Sequence, residues 1–147
     1  MRFALLCILC SAVAACTPLQ TYPGPQLPRE QVATLHGAVN YYGVGWVIVV
    51  IDAVDGKKIV GSSDEMYWGR IELLPGQHEI SASLWVSAVT PMLVINRGAT
   101  PELRRLTFVA EAGARYIADG SWGGSSEKNA IWIVDERTKE IVAGNKP

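Results

Sequence analysis

The chain has 147 residues, of which 49% are hydrophobic and 18% are charged, and its formal net charge is −1 at pH 7. This composition predicts a folded chain of one-domain size and argues against disorder. With 13 basic and 14 acidic residues and no basic stretch, nucleic acid is a poor candidate partner.

The first element is a short apolar segment that carries all three cysteines of the chain, Cys7, Cys10 and Cys16. Arg2 precedes an uncharged run that ends at Ala15, which is the layout of a secretory signal helix. The run is shorter than the roughly 20 residues that a membrane-spanning helix needs. We therefore predict that residues 1–15 are a signal peptide, and that its two cysteines act there as small hydrophobic residues.

The end of this segment, Val13-Ala14-Ala15-Cys16, resembles the lipobox of bacterial lipoproteins, in which an aliphatic residue and two small residues precede a cysteine. The resemblance implies cleavage before Cys16 and acylation of both its sulfur and its new amino group. An ordinary signal peptide cleaved after Ala14 is the alternative. Because Thr17 and not aspartate follows the cysteine, the resemblance to sorting signals implies the outer membrane, with the domain facing the periplasm.

Residues 16–30 are predicted to form a tether between the lipid and the folded domain. Four prolines and one glycine lie among the thirteen residues from Thr17 to Arg29. Proline fixes φ and removes a backbone donor, so this segment is predicted to be neither helix nor central strand. In a polyproline II conformation it would extend about 40 Å.

Strand patterns fill the rest of the chain. The clearest runs from His78 to Val86, where alternation predicts that every second residue faces a core. Trp46–Asp52 is a β-branched run typical of a strand covered on both faces. The other predicted strands are Gln31–His36, Trp68–Leu74, Met92–Asn96, a strand through Leu106, Phe108 and Ala110, Ala130–Asp135 and Glu140–Ala143.

Turn residues separate these strands. Asp55-Gly56 predicts a two-residue hairpin, and Pro75-Gly76 predicts a second hairpin through a type II turn. No stretch of ten residues after the signal has helical periodicity. Residues 31–147 are therefore predicted to form an all-β domain, an antiparallel sandwich of about eight or nine strands.

Three motifs carry a further resemblance. Tyr116, which follows Ala112-Gly113, resembles the tyrosine corner of immunoglobulin-like sandwiches, in which the tyrosine hydroxyl bonds to the upstream backbone. An ordinary half-buried tyrosine is the alternative.

The stretch ELLPGQHEI resembles a hairpin of PEGA-like modules in bacterial envelope proteins. With the lipobox and the final hairpin IVDERTKEIVAG, the mature chain resembles a group of proteobacterial lipoproteins. Lys139 departs from their pattern, since such last hairpins usually carry glycine there. The resemblance implies fold and location and transfers no catalytic residue.

Few residues of the chain are candidates for reaction chemistry. The chain has two histidines, His36 and His78, and neither has the spacing of a zinc site. No G-x-S-x-G elbow and no phosphate-binding glycine motif followed by a helix is present. A triad assembled in space stays open. We predict no metal and no cofactor, and that His78, which follows a tight turn, bonds a backbone carbonyl.

Aromatic residues near loops are the unusual feature, and the candidate binding surface comprises Tyr41, Tyr42, Trp46 and Trp122. Exposed aromatic faces dominate many contacts with proteins and sugars. The alternative is that these rings close the ends of the core, as large aromatics usually do. We therefore expect a non-enzymatic, lipid-anchored envelope protein that binds another protein. A module that binds a glycan such as peptidoglycan is the second possibility, and an envelope hydrolase is the third.

Overall fold

The computed structural model describes residues 18–43, 45–59, 69–90, 93–99, 103–123 and 128–147. Cys16, the predicted signal peptide and Trp68 lie outside these residues. The described chain is all-β, apart from one turn of 3₁₀ helix at Arg29–Gln31. Within these ranges, no helix has the length and apolar character needed to cross a membrane.

The described residues contain twelve strands, more than the sequence predicts, because several are only two to four residues long. They are β1 Leu19–Gln20, β2 Ala33–Gly37, β3 Val39–Tyr42, β4 Gly45–Val54, β5 Lys57–Lys58, β6 Ile71–Leu73, β7 Gly76–Thr90, β8 Leu93–Ala99, β9 Arg104–Ala110, β10 Arg115–Ser121, β11 Ala130–Asp135 and β12 Ile141–Gly144.

The strands form two six-stranded sheets. The first sheet has the order β1-β6-β2-β10-β11-β12; the second has the order β3-β4-β7-β8, with β5 paired to β4 and β9 paired to β7. All pairings in the second sheet are antiparallel, as predicted. The first sheet is mixed, because β1 runs parallel to β6 and β2 runs parallel to β10. The prediction of purely antiparallel strands is therefore wrong for this sheet. Strand β10 reaches β2 only after the chain has passed through both sheets, so no tight turn joins the two strands and imposes an antiparallel pairing.

One core lies between the sheets and draws side chains from both. The predicted inward positions along β7 are confirmed, since Ile80, Ala82, Leu84 and Val86 are all buried, although Ser83 on the opposite face is buried as well. The inward faces of the other strands supply Leu35, Val47, Val49, Ile51, Ile71, Leu73, Leu106, Phe108, Tyr116, Ala118, Ile131 and Ile133. Full burial of one large aliphatic side chain contributes about 1.5–3 kcal/mol, so this shared core is the main force that holds the sheets together.

The two predicted hairpin turns have different outcomes. Asp55 and Gly56 both have positive φ, 49° and 73°, and Val54 pairs with Lys57 across them, which confirms the first hairpin. The second prediction is wrong. After Pro75-Gly76 the chain changes sheets, since β6 belongs to the first sheet and β7 to the second. Gly76 has a φ of 136°, and this conformation redirects the chain across the core instead of reversing it within one sheet.

The predicted bond of the tyrosine corner is present. The backbone N–H of Glu111 donates to the hydroxyl of Tyr116 over 3.1 Å, and the tyrosine ring is buried. The ring also meets Phe108 edge-on, with centroids 4.9 Å apart. The polar tip of this large residue therefore has a partner while its ring fills the core.

The last hairpin is confirmed as well, with β11 and β12 antiparallel. Its turn is closed by Asp135, whose Oδ1 accepts the N–H groups of Arg137 and Thr138 at 2.7 and 2.8 Å. Lys139 has a φ of 64°, the left-handed conformation that glycine adopts most easily. The turn therefore forms with a lysine at a position where glycine would meet no strain.

The N-terminal segment, residues 18–31, lies against the first sheet. Leu19 in β1 pairs with Ile71 in β6. The N–H and the hydroxyl of Thr21 both donate to the backbone oxygen of Glu72, at 3.3 and 2.7 Å. Tyr22 is buried. Several residues of the stretch that composition marks as a tether are thus in contact with the domain.

Candidate functional site

The β3–β4 hairpin brings three of the candidate aromatic residues together. Tyr41 pairs with Trp46, and Tyr42 pairs with Gly45 next to the turn. Gly43, in the turn, has a φ of 50° that a larger side chain would adopt with strain. Because side chains alternate along a strand, Tyr41 and Trp46 lie on the face away from the core, and Tyr42 lies on the core side.

The fourth aromatic residue, Trp122, reaches the same end of the molecule from the other sheet. It directly follows β10 and helps to enclose a pocket of about 230 Å³. We call this pocket the aromatic mouth; its lining residues are Tyr42, Gly45, Trp46, Val47, Val86, Ser87 and Trp122.

A second pocket of about 300 Å³, here called the polar pocket, adjoins the aromatic mouth at Tyr42. Tyr41, Tyr42, Asn40, Asp119, Ser121 and Lys146 are among its lining residues. The Asn40 amide donates to Asp119 Oδ1 over 2.7 Å and to the Gly120 carbonyl over 3.0 Å. These bonds tie β3 to β10 and fix the wall of the pocket.

The rings are accessible to different degrees. Tyr41 is 80% exposed, Tyr42 51% and Trp122 38%, while Trp46 is half-buried. Trp132, by contrast, is buried, and the ammonium group of Lys146 lies 5.7 Å from its ring centroid. The four predicted residues therefore converge on one end of the molecule, with three of their side chains open to solvent.

Sequence reasoning missed the polar residues of this region. Asn40 and Asp119 are 79 positions apart and neither belongs to a motif. The two residues come close together because the chain passes from β2 in the first sheet into β3 in the second. No local sequence pattern predicts this passage. The one sequence feature that could have pointed to Asn40 is its position directly before Tyr41.

His78 confirms the prediction that it bonds a backbone carbonyl. Its Nε2 lies 2.7 Å from the oxygen of Leu74, and its Nδ1 lies 2.7 Å from Asp55 Oδ2. Asp55 Oδ1 also accepts the N–H of Glu79 over 2.9 Å. Burial alone would raise the pKa of Asp55, but the Glu79 N–H and the His78 ring outweigh it and hold the pKa below its usual value. The imidazole thus connects the first hairpin to the start of β7.

His36 lies on the face of the first sheet away from the core, with Nδ1 3.5 Å from Glu136 Oε1. Burial lowers the pKa of His36, while the negative charge of Glu136 acts in the opposite direction. In the described part of the chain, the partners of the two imidazoles include no serine or threonine hydroxyl. Within the same ranges, no group of three His, Cys, Asp or Glu side chains is arranged to hold a metal ion.

An unusual acid lies in the second sheet. Asp52 sits at a bulge in the β4–β7 pairing, and its Oδ2 and the hydroxyl of Ser83 are buried without a hydrogen-bond partner among the described residues. Burial raises the pKa of Asp52, and the neighbouring Ser83 hydroxyl opposes the rise. Neither residue belongs to the aromatic mouth or the polar pocket.

Comparison of the chain with protein-family models, with curated proteins and with solved structures finds no match.

Proposed function

We propose that the protein is a non-catalytic, lipid-anchored lipoprotein of the bacterial cell envelope that binds another envelope protein through the aromatic mouth and the rings around it. The observation that carries this proposal is the convergence of Tyr41, Tyr42, Trp46 and Trp122, which come from two sheets, on one end of the molecule. Rigid aromatic side chains supply large contact areas at low cost in conformational entropy.

We infer a β-sandwich of the immunoglobulin-like or PEGA-like kind, in which two sheets face each other across one core. The shared core and the Glu111–Tyr116 hydrogen bond support it. The sandwich would give the aromatic surface a rigid frame.

A protein partner is favoured by the position of β3. Among the described strands β3 pairs only with β4, so it is an edge of the second sheet. Three of its four residues are exposed, and it contains no lysine or proline of the kind that discourages edge pairing. An exposed aromatic edge of this kind suits a polypeptide partner.

Acylation of Cys16 would hold the protein on the membrane, because two or more acyl chains bind firmly while one binds only marginally. Following the sequence, we assign it to the outer membrane, facing the periplasm. Replacement of Cys16 by serine is expected to release the protein from the membrane fraction and to change its mature mass.

The test of binding is a cross-linked purification of the full-length protein from its native envelope. A variant with alanine at Tyr41, Tyr42, Trp46 and Trp122 is expected to lose its specific partner. The matched control is Leu103→Ser with Val109→Ser, which alters two side chains that are 58% and 64% exposed elsewhere. A partner retained by the aromatic variant, or lost equally by the control, would contradict the proposed surface.

Binding of a glycan is the second candidate, and the polar pocket favours it. Carboxylate, amide, hydroxyl and ammonium groups surround Tyr41 and Tyr42 there, and sugars require both ring faces and polar partners. Sedimentation with purified peptidoglycan distinguishes the candidates. Binding that is lost in the aromatic variant and in Asp119→Ala would favour the glycan over the protein.

A further inference from the structure

Very little free chain separates the proposed lipid from the folded domain. The N–H of Leu19 donates to the Arg70 carbonyl over 2.7 Å, and Leu19 pairs with Ile71, so the domain begins there. Only two residues lie between Cys16 and Leu19. Three residue steps span at most about 11 Å, which is far less than the 40 Å expected of a free tether. An acylated Cys16 would hold Leu19 next to the lipid headgroups.

Leu19 shares a pocket with the β4–β5 hairpin. This pocket, of about 260 Å³, has Leu19, Gln20 and Thr21 on one side and Val54, Lys57, Lys58 and Ile59 on the other. Strand β1 and the hairpin therefore make one continuous border of the molecule, which we call the anchored edge and define by Leu19–Thr21 and Lys57–Ile59.

The exposed charges of the anchored edge are mainly positive. Lys57 and Lys58 are both exposed. The acids that face them are Asp55 in the turn and Asp52 at the bulge. The Asp55 carboxylate is bonded to the Glu79 N–H and the His78 ring, and Asp52 is partly buried. The two ammonium groups are thus better placed than these carboxylates to meet an anionic surface.

We propose that the anchored edge lies on the membrane surface and that Lys57 and Lys58 contact the phosphates of anionic lipids. This placement rests on the acylation of Cys16 in the proposed function. The domain then sits at the headgroups and is not lifted away from them. The aromatic mouth is at the opposite end of β4, nine residue steps or about 30 Å away along the strand, so it stays available to a partner.

The experiment uses the acylated full-length protein in vesicles of phosphatidylethanolamine and phosphatidylglycerol, with phosphatidylcholine vesicles for comparison. The rate of acetylation of each lysine is measured by mass spectrometry. Lys139 and Lys146 are exposed on other parts of the surface and serve as internal controls. Lys57 and Lys58 are expected to react about fivefold more slowly in the anionic vesicles, the factor that corresponds to about 1 kcal/mol per basic residue at an anionic surface. The control lysines are expected to react equally in both.

Two failures can be told apart. A mature mass without acyl chains on Cys16 overturns the anchor and, with it, this placement. An acylated, vesicle-bound protein whose Lys57 and Lys58 react as fast as Lys139 and Lys146 in the anionic vesicles overturns the placement alone. Equal protection in both kinds of vesicle also overturns the assignment of anionic lipid as the contact.

Discussion

The hydroxyl of Tyr22 lies 3.2 Å from Oε2 of Glu72, a carboxylate that is buried under the N-terminal segment. The same hydroxyl accepts the N–H of Leu27 over 3.2 Å, and the Gln26 amide donates to Glu72 Oε1 over 3.1 Å. One acid in β6 therefore holds two side chains of the N-terminal segment in place.

Tyr22→Phe is expected to lower the free energy of unfolding by about 1–2 kcal/mol, because it leaves a buried carboxylate and a backbone N–H each one bond short. Urea denaturation measures this. Cleavage by trypsin after Arg29 should also become faster as the segment loosens. Tyr41→Phe is the control, since Tyr41 is 80% exposed and the change should be close to neutral. Equal effects of the two substitutions would contradict this role of Tyr22.

Lys139→Gly is expected to stabilise the protein by about 1 kcal/mol. A residue other than glycine in the left-handed conformation costs roughly 1–2 kcal/mol, and the greater freedom of glycine in the unfolded chain removes part of the gain. Thermal unfolding measures the change. Lys58→Gly, in β5, provides the contrast, because its φ is not positive and the substitution should be neutral or destabilising. A destabilised Lys139→Gly variant would show that the lysine side chain matters more than its φ.

Some parts of the fold could be predicted from the local sequence and others could not. The alternation along β7, the Asp55-Gly56 hairpin and the final hairpin depend on neighbouring residues, and each was predicted correctly. Two other features were not predicted: the parallel pairing of β2 with β10, and the change of sheet at Pro75-Gly76. Both depend on which distant strand is available for pairing. The same distinction holds for the candidate site. Its aromatic residues could be predicted from the sequence, whereas Asn40 and Asp119 come together only in the folded chain.

The pKa of Asp55 gives the protein a predictable response to acid. Because the pKa is lower in the folded state than in the unfolded one, this carboxylate stabilises the fold above the unfolded value of about 4. The contribution is lost as the pH falls through the folded pKa. Asp55→Asn should therefore be less stable than the wild type at pH 7, and the difference should shrink below pH 4. Urea midpoints at several pH values measure it, and a difference that is constant with pH would contradict the assignment.

Asp52 should respond in the opposite direction. Its pKa is raised by burial, so the folded state favours the protonated form, and stability contributed at low pH is lost as the pH rises through the unfolded value and then the folded one. Asp52→Asn removes a partly buried charge and is expected to gain about 1 kcal/mol at pH 7 and almost nothing near pH 3. The same series of urea midpoints tests it. A loss of stability at neutral pH would show that the carboxylate has a partner outside the described residues.

The two sheets approach each other closely beside the aromatic mouth. Gly120 lies in β10, between two residues that line the polar pocket, and a Cβ added there would be 2.7 Å from Leu84 Cδ2 and 3.0 Å from Val49 Cγ2. Gly120→Ala is expected to destabilise the protein by about 1–3 kcal/mol, because β10 must move away from the second sheet. The cost of this substitution should be smaller in a Leu84→Ala background, where space is available, and a double-mutant cycle from urea denaturation measures the coupling. If Gly120→Ala lowered the free energy of unfolding equally in both backgrounds, contact with Leu84 would not be the reason for the glycine. The two sheets would then have to lie farther apart near the mouth than these distances indicate.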